Sequence, residues 1–438
     1  MSQSFLPTNP YKGTRDFYPE EMRLRNWFFA KMREVAESFG YEEYNGPILE
    51  SYDLYAAKSG EELVNEQIYH FMDKGERRLA IRPEMTPTVA RMVAARVNEL
   101  VLPLRWFCVA NLMRYERPQK GRLREHWQLN MDVFGEPSVR ADLEILTVID
   151  RLLRAFGADA GMYRVRVSNR RLFNDVLSRL LGVGDHEIHV ISKAVDKRAK
   201  ISDEDYRKWL NDSGISDDKI RLLDEIFACS LDELSARLGA GSRGADELRE
   251  LFALLADAGL GEVCQFDFSI VRGFDYYTGT VFEVDDTSPE NRRALFGGGR
   301  YDDLVGLFRK SDISGVGFGF GDVTFQNFLE THRLIPAELR GPRKVLIAAF
   351  EDMPYGEYAK LSRLLHERGI ANNVYLDPSA KIKKQFAFAE KKDYAAVLIM
   401  GREELEKGQL ALKNLEAREQ TTLGREECLD RLAQLIHG

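Results

Sequence analysis

Arg114, Arg117, Lys120, Arg122 and Arg124 place five cations in eleven residues, with Glu116 as the only acid before Glu125. Guanidinium groups in such a run suit phosphate oxygens, which they bind through paired donors. The next stretch, QLNMD, alternates. In a strand, Gln128, Asn130 and Asp132 share one face, while Leu129 and Met131 share the other. The apolar face can pack, and the polar face presents two amides and a carboxylate. An unpaired buried polar group costs about 1–3 kcal/mol, so solvent, salt bridges or a ligand must satisfy that face. A solvated basic turn is the plain alternative for the cations alone. It is less attractive here because the run joins two strands whose polar face also needs partners.

A rigid hairpin would position these groups. Leu104, Trp106 and Cys108 begin one strand, HWQLNMDVF forms the other, and Pro118 and Gly121 break the loop between them. Upstream, Met22, Leu24, Trp27, Phe28, Met32, Val35 and Phe39 recur at helical spacing and predict a helix from Pro19 to Phe39, ended by Gly40. From Asn169 to Glu262 the pattern is almost wholly amphipathic helix. Strand and glycine signals return in VCQFDFSIVRGFDYYTGTVFEVDD and FGGGRYDDLVGLF. The helical block therefore reads as an insertion, at about 170–260, within one α+β domain spanning 1–335. Two prolines and a glycine between Leu334 and Arg343 mark a linker. KVLIAAF, NVYLD and YAAVLIMG then alternate with two helices, which predicts a smaller α/β domain at 343–438 with a mostly parallel sheet.

The bulk numbers bound the class. With 44% hydrophobic and 30% charged residues, the chain has globular rather than disordered composition. No apolar run reaches the length of a membrane span, and the start lacks the pattern of a secretory signal, so a cytoplasmic location is expected. Cys108, Cys229, Cys264 and Cys428 form no CxxC pair, which argues against a zinc site or a disulfide framework. A net charge of −8 argues against a uniform nucleic-acid coat but permits local basic surfaces.

MRYERPQKGRLREHWQLNMDVFG resembles the second signature motif of class II aminoacyl-tRNA synthetases, in the form used by histidyl enzymes. Gly13-Thr-Arg-Asp-Phe17, Arg82-Pro-Glu-Met-Thr86, Arg272-Gly-Phe-Asp-Tyr-Tyr277 and Gly297-Gly-Gly-Arg-Tyr-Asp302 are similar to further segments of histidyl-tRNA synthetases. KIKKQFAFAEKKDYAAVLIMG is similar to their anticodon-binding domain. The resemblance covers nearly the whole chain. It implies a class II catalytic domain, with an antiparallel sheet flanked by helices, and a homodimer formed through a first motif around Gly46-Pro-Ile-Leu-Glu50. The implied reaction activates L-histidine with ATP and Mg2+ to the adenylate and then charges tRNA(His), with no metal held by protein ligands alone. Glu84 and Thr86 are implied to bind the α-amino group, with Gln128 and Asp132 at the same end; many relatives carry glutamate at position 132. Tyr276 and Tyr277 are implied near the imidazole, although on a strand consecutive residues face opposite ways and one would serve the core.

Arg114 is implied to bind the α-phosphate, Arg272 the α-phosphate and the substrate carboxylate, and Glu116 the adenine amino group. Arg122 and Arg124 are looser candidates for phosphate or acceptor-stem contacts, Arg124 being placed with the ATP ligands and Arg122, with Gln119 and Lys120, among the candidates for tRNA. In the last domain Lys381, Lys383, Lys384, Lys391 and Lys392 gather on one helix, with Lys383 and Lys384 as the tRNA candidates. The alternative is a solvated amphipathic helix with Phe386 and Ile382 toward the core. One departure stands out. The third motif falls near Gly315–Phe325, where most relatives carry Glu-Arg and this chain has Val323 and Thr324. Threonine supplies no positive charge; Arg309, Lys310 or an additional magnesium are the substitutes considered. Two rivals remain. One is a histidine-sensing paralogue of the ATP phosphoribosyltransferase regulatory-subunit type, and the other a prolyl or threonyl enzyme.

Overall fold

The computed structural model describes residues 6–57, 63–198, 201–271, 276–337, 339 and 341–437. They form two compact units, one running to Ala337 and one beginning after it. The first unit opens with helix α1 (Pro19–Ser38), where Pro19 takes a position whose N–H would have no helical acceptor. Phe28, Met32, Val35 and Ala36 are its buried stripe. Phe39 is its cap, one residue short of the expected end, and Gly40 at φ +76° turns the chain away.

Eight strands build the main sheet in the order β1 (Glu42–Glu43), β5 (Leu104–Met113), β6 (Glu125–Phe134), β11 (Gly315–Gly321), β10 (Ala294–Arg300), β9 (Thr280–Asp286), β7 (Tyr163–Asn169) and β8 (Cys264–Phe266). Only the outer pairs, β1 with β5 and β7 with β8, run parallel. β5 and β6 are the expected hairpin, in register from Leu104 opposite Phe134 to Met113 opposite Glu125. A separate antiparallel sheet of β2 (Leu49–Ser51), β4 (Arg78–Ile81) and β3 (His70–Met72) adjoins the short helix α2 (Tyr52–Ala56).

The apolar residues of β6 behave as the alternation requires: Leu129, Met131 and Val133 enter a core shared with α1 and α4 (Val139–Ala155). A second cluster joins Phe134, Tyr276 and Tyr301 to Val89, Ala90 and Val93 of helix α3 (Thr86–Ala95). Between β7 and β8 lies the helical insertion: α5 (Arg170–Arg179), α6 (Asp185–Arg198), α7 (Asp203–Asp212), α8 (Asp217–Phe227), α9 (Leu231–Leu238) and α10 (Arg243–Asp257). Asn169, Ser202, Ser216, Ser230 and Ser242 cap five of these helices by accepting amide N–H bonds with their side chains. Gly244 lets α10 cross α5 closely, since a Cβ there would stand 2.8 Å from the Leu172 Cα. Helix α11 (Asp322–Thr331) follows β11.

The second unit contains β12 (Val345–Ala348), α12 (Tyr355–Glu367), β13 (Asn372–Val374), α13 (Ile382–Lys391), β14 (Ala396–Ile399), α14 (Arg402–Lys407), β15 (Gln409–Asn414), β16 (Glu419–Gly424) and α15 (Arg425–His437). Its sheet runs β13-β12-β14-β15-β16. The first three strands are parallel, as expected, but β15 and β16 add an antiparallel edge. That edge carries little apolar signal, because most of β16 is exposed.

Behind the main sheet, Arg300 is buried against Asp142 in an ion pair and also donates to the carbonyls of Glu136 and Ser138. Burial pushes the Asp142 carboxyl above its usual range, even against the pull of Arg300. Arg300→Ala would strand a buried carboxylate and is expected to cost about 3–5 kcal/mol. An Arg300→Met/Asp142→Leu pair should lose much less. Urea unfolding of both variants checks this, and equal losses would contradict it.

Candidate functional site

The polar face of β6 carries His126, Gln128, Asn130 and Asp132 in sequence. β11 lies alongside, with Gly317 opposite Asp132 and Gly319 opposite Asn130. A Cβ at Gly317 would collide with the Asp132 carboxylate, and one at Gly319 with the Gln128 amide. These two side chains therefore lie across a floor of bare backbone. One Asp132 oxygen accepts the Tyr301 hydroxyl, while the other is buried without a hydrogen-bond partner. Burial raises the Asp132 carboxyl to about 7, despite the bond from Tyr301.

Glu84 and Thr86 lie at the entrance to α3, with Glu84 buried and Thr86 half-buried. The Tyr276 hydroxyl donates to Glu84 Oε2 at 2.9 Å and also engages Thr86. Burial, and then the Glu84 charge, hold the Tyr276 phenol well above its ordinary value. Its ring lies 4.9 Å from that of Tyr277 and 5.9 Å from that of Tyr301. One of the two tyrosines serves the core, as expected: Tyr276 is buried in it, though not through alternation along a strand. β9 begins only at Thr280, so both rings sit in an irregular segment, and Tyr277 packs on Gly299, where a Cβ would stand 2.8 Å from its Cδ1. Arg82 fastens the Glu84 segment by donating to the Asn111 and Gly46 carbonyls at 2.9 and 2.8 Å.

Arg114 ends the strand side of the cationic loop, and its Nε donates to the Pro83 carbonyl at 2.9 Å, next to Glu84. Contacts therefore run without a break from Arg114 through Pro83, Glu84, Tyr276 and Tyr301 to Asp132. The loop is less free than its composition implies. Glu116 is buried and paired with Arg122, and Arg124 donates to the Glu116 carbonyl at 3.0 Å while stacking over Tyr115. Arg117, Gln119 and Lys120 are exposed. His126 is held down at about 3, first by burial and then by the charges of Arg114, Arg15 and Arg122. Sequence reasoning passed over His126 and Tyr301, although QLNMD alternation extended by one step and the quoted GGGRYD contain both. Arg272 lies outside the described residues.

The third-motif position is occupied as read: Thr324 lies in the first turn of α11, and its hydroxyl donates to the Leu295 carbonyl at 2.6 Å. Arg309 and Lys310, the substitutes read from the sequence, are set apart from it along the chain. They are exposed residues ahead of Gly315, which pairs with Phe134, whereas Thr324 follows Gly321, which pairs with Gln128. A seven-residue strand separates the two places. In the second unit, Lys381, Lys383, Lys384, Lys391 and Lys392 are exposed, while Ile382 and Phe386 pack against its core.

Because the folded pKa of Asp132 is raised, the group contributes stability in full below its unfolded value and loses it as pH rises through about 7. Asp132→Asn, which can still accept from Tyr301, is expected to gain on the wild type between pH 4 and 7. The gain should level off above that window at something on the order of 4 kcal/mol. Denaturant unfolding at pH 4.5 and 8 measures it, and a difference independent of pH would count against this reading.

Residues 13–321 match the family model described as Histidyl-tRNA synthetase, and residues 344–435 match that of the Anticodon binding domain. A histidine–tRNA ligase of Leptospira biflexa is 45% identical over 435 residues, covering 99% of each chain. The crystal structure of histidyl-tRNA synthetase from Nostoc sp. PCC 7120 superimposes with a TM-score of 0.78 at 23% identity, over 99% of both chains. A Bacillus halodurans structure described as an ATP phosphoribosyltransferase regulatory subunit/histidyl-tRNA synthetase gives 0.74 at 22%, covering 90% of this chain and 99% of that one. The shared fold thus does not separate synthetase from regulator, but the full-length sequence match does: the chain belongs to the histidyl-tRNA synthetase family.

Proposed function

We propose that this chain is a histidine–tRNA ligase whose substrates meet along the contacts from Arg114 to Asp132. That unbroken path is the observation that carries the reading, because it sets an anion-binding group beside a pocket built to receive an ammonium and an imidazole. Glu84 and Thr86 take the α-amino group, since a carboxylate and a hydroxyl are acceptors for its three donors. Gln128 reaches the same end. Tyr276 and Tyr277 wall the imidazole, and the unpartnered Asp132 oxygen accepts from a ring N–H. The second oxygen is buried, so the site favours a ligand that brings a donor to it.

The histidine carboxylate attacks the α-phosphorus of ATP, forming the acyl–phosphate bond as the bond to pyrophosphate breaks. A tRNA terminal hydroxyl then attacks the acyl carbon and AMP leaves. Arg114 steadies charge building on the α-phosphate oxygens, with Arg272 assigned to the same task by family resemblance. Arg124 and Glu116 complete the nucleotide end, and Gln119, Lys120 and Arg122 present the loop to the acceptor stem. Lys383 and Lys384 offer a basic face to the anticodon arm. Mg2+ enters with the triphosphate. Such sites hold it by phosphates plus one or two carboxylates, and among the described residues no group of three His, Cys, Asp or Glu is assembled for a metal.

A cytoplasmic site of action belongs to this reading, supported by four cysteines that are free thiols. So does a homodimer. Ile48, Leu49, Phe71 and Met72 expose 56, 45, 42 and 58% of their surface around the small sheet, an apolar patch suited to a second copy.

Pyrophosphate exchange with each amino acid tests the activity. Exchange dependent on histidine is expected; histidine binding without exchange would instead identify a sensor, and exchange with proline or threonine would move the specificity. Arg114→Ala should lower kcat about 100- to 1,000-fold with the fold intact. For the dimer, Phe71→Asp/Met72→Asp is expected to shift the sedimenting species from two chains to one.

A further inference from the structure

The Gly13-Thr-Arg-Asp-Phe17 segment has so far been given no task, yet its path is specific. The Gly13 carbonyl accepts the amides of Arg124 and Glu125 at 2.9 and 3.1 Å. At φ +91°, with Arg124 Cγ and Pro118 Cγ both 2.9 Å from where a Cβ would stand, only glycine fits there. The segment is thus pinned across the foot of the cationic loop. Two residues on, Arg15 Nη2 meets Asp322 Oδ2 at 2.7 Å, and the other Asp322 oxygen accepts the Trp127 N–H at 2.9 Å. Asp322 thereby ties Arg15 to the start of α11 while its other oxygen ties α11 to the strand backbone beside His126.

We propose that Arg15 binds the outer phosphates of the nucleotide, supplying at the first turn of α11 the positive charge that Asp322, Val323 and Thr324 do not. This rests on the ATP-dependent reading above. Arg15 Nε is buried and donates to no acceptor in the structure, and neighbouring Arg25 has Nε and Nη1 in the same condition. Asp322 is the carboxylate bonded to Arg15, whereas Arg25 feels both Asp322 and Glu125 and is sandwiched 3.8 Å from the Phe17 and Trp127 rings, so Arg15 Nε is the buried donor that an anion could meet. A buried donor without an acceptor favours an anion with several oxygens. Arg15 also acts with Arg114 and Arg122 in keeping His126 neutral, which puts it within electrostatic reach of the face that holds Gln128 and Asp132. An α-phosphate on Arg114 would leave the β- and γ-phosphates to reach toward that second cation. The competing cation is Arg293, exposed at the hairpin between β9 and β10. Its Cδ lies 3.8 Å, and the Thr324 Cγ2 3.6 Å, from where a Cβ on Gly121 would stand.

The test compares Mg-ATP with AMP by calorimetry on the full chain. It uses Arg15→Gln, which can still donate to Asp322 but carries no charge. ATP affinity is expected to fall at least tenfold and AMP affinity to change less than twofold. KM for ATP in pyrophosphate exchange should rise by the same factor as the ATP dissociation constant, with KM for histidine unmoved. Arg15→Lys should keep part of the ATP affinity. Arg15→Gln/Thr324→Arg, which returns a guanidinium to the same turn, should recover most of it. Equal loss of ATP and AMP, no loss of either, or a loss carried by Arg293→Ala instead would each overturn the proposal. The binding comparison decides the role of Arg15 even if exchange proves not to depend on histidine, which would count against the substrate reading alone.

Discussion

Everything in the catalytic unit is arranged around one close approach, the passage of Asp132 and Gln128 across the bare backbone of β11. Side chains on adjacent antiparallel strands normally stand side by side, with Cβ atoms about 4.5–5.5 Å apart. Here Gly317, opposite Asp132, and Gly319, the diagonal neighbour of Gln128, carry no side chain, so a carboxylate and an amide can lie flat where one would be. Glycine weakens a strand by roughly 0.5–1 kcal/mol relative to alanine. The full ladder of β11 with β6 and β10 offsets that loss, and β10 answers with its own glycines: Gly298 and Gly299 admit Phe282 and the Tyr277 ring.

A flattened floor needs rigid support, and a buried charge pair adds to what the apolar core beneath the sheet supplies. Arg300 follows the glycine run directly and turns to the opposite side of the sheet, where Asp142, Ser314 and two carbonyls hold it. Tyr301, next in sequence, points back to Asp132. One buried ion pair thus fixes the strand whose next residue orients the pocket carboxyl. Asp302 extends the arrangement outward, accepting from Arg171 at 2.6 Å and Thr278 at 3.0 Å, while Arg171 also grips Glu247 of α10. Through Arg171 the helical insertion is tied to the segment that carries Tyr276 and Tyr277.

The sequence was most readable where a short period and a chemical demand coincided. The β5–β6 hairpin, the polar face of Gln128 and Asp132, the helical insertion and the first helix are all local patterns. What was hidden depends on contacts between distant residues. Tyr276 and Glu84 are 192 positions apart, and nothing near either one announces their bond. The strands of the small sheet, three or four residues each, are too short to show alternation, and β16 is too exposed to show it. Arg309 and Lys310 seemed eligible as substitutes for an arginine at 324 because they are near it in sequence. In the fold a strand of seven residues, Gly315–Gly321, lies between them and Thr324.

The same distinction bears on the loop. By composition its arginines look interchangeable, but their surroundings rank them. Glu116 keeps only 6% of its side chain exposed and is held by Arg122. Withdrawing Arg122 would leave a nearly buried carboxylate without its cation, at about 3–5 kcal/mol. A neutral amino group on adenine returns only about 0.5–1.5 kcal/mol per hydrogen bond. If adenine meets Glu116, it therefore does so with Arg122 still in place, sharing the carboxylate rather than displacing its partner. Arg122 then also holds the Glu116 carboxylate in its orientation. Among the RNA contacts proposed for the loop, exposed Gln119 and Lys120 therefore give up less than Arg122 would.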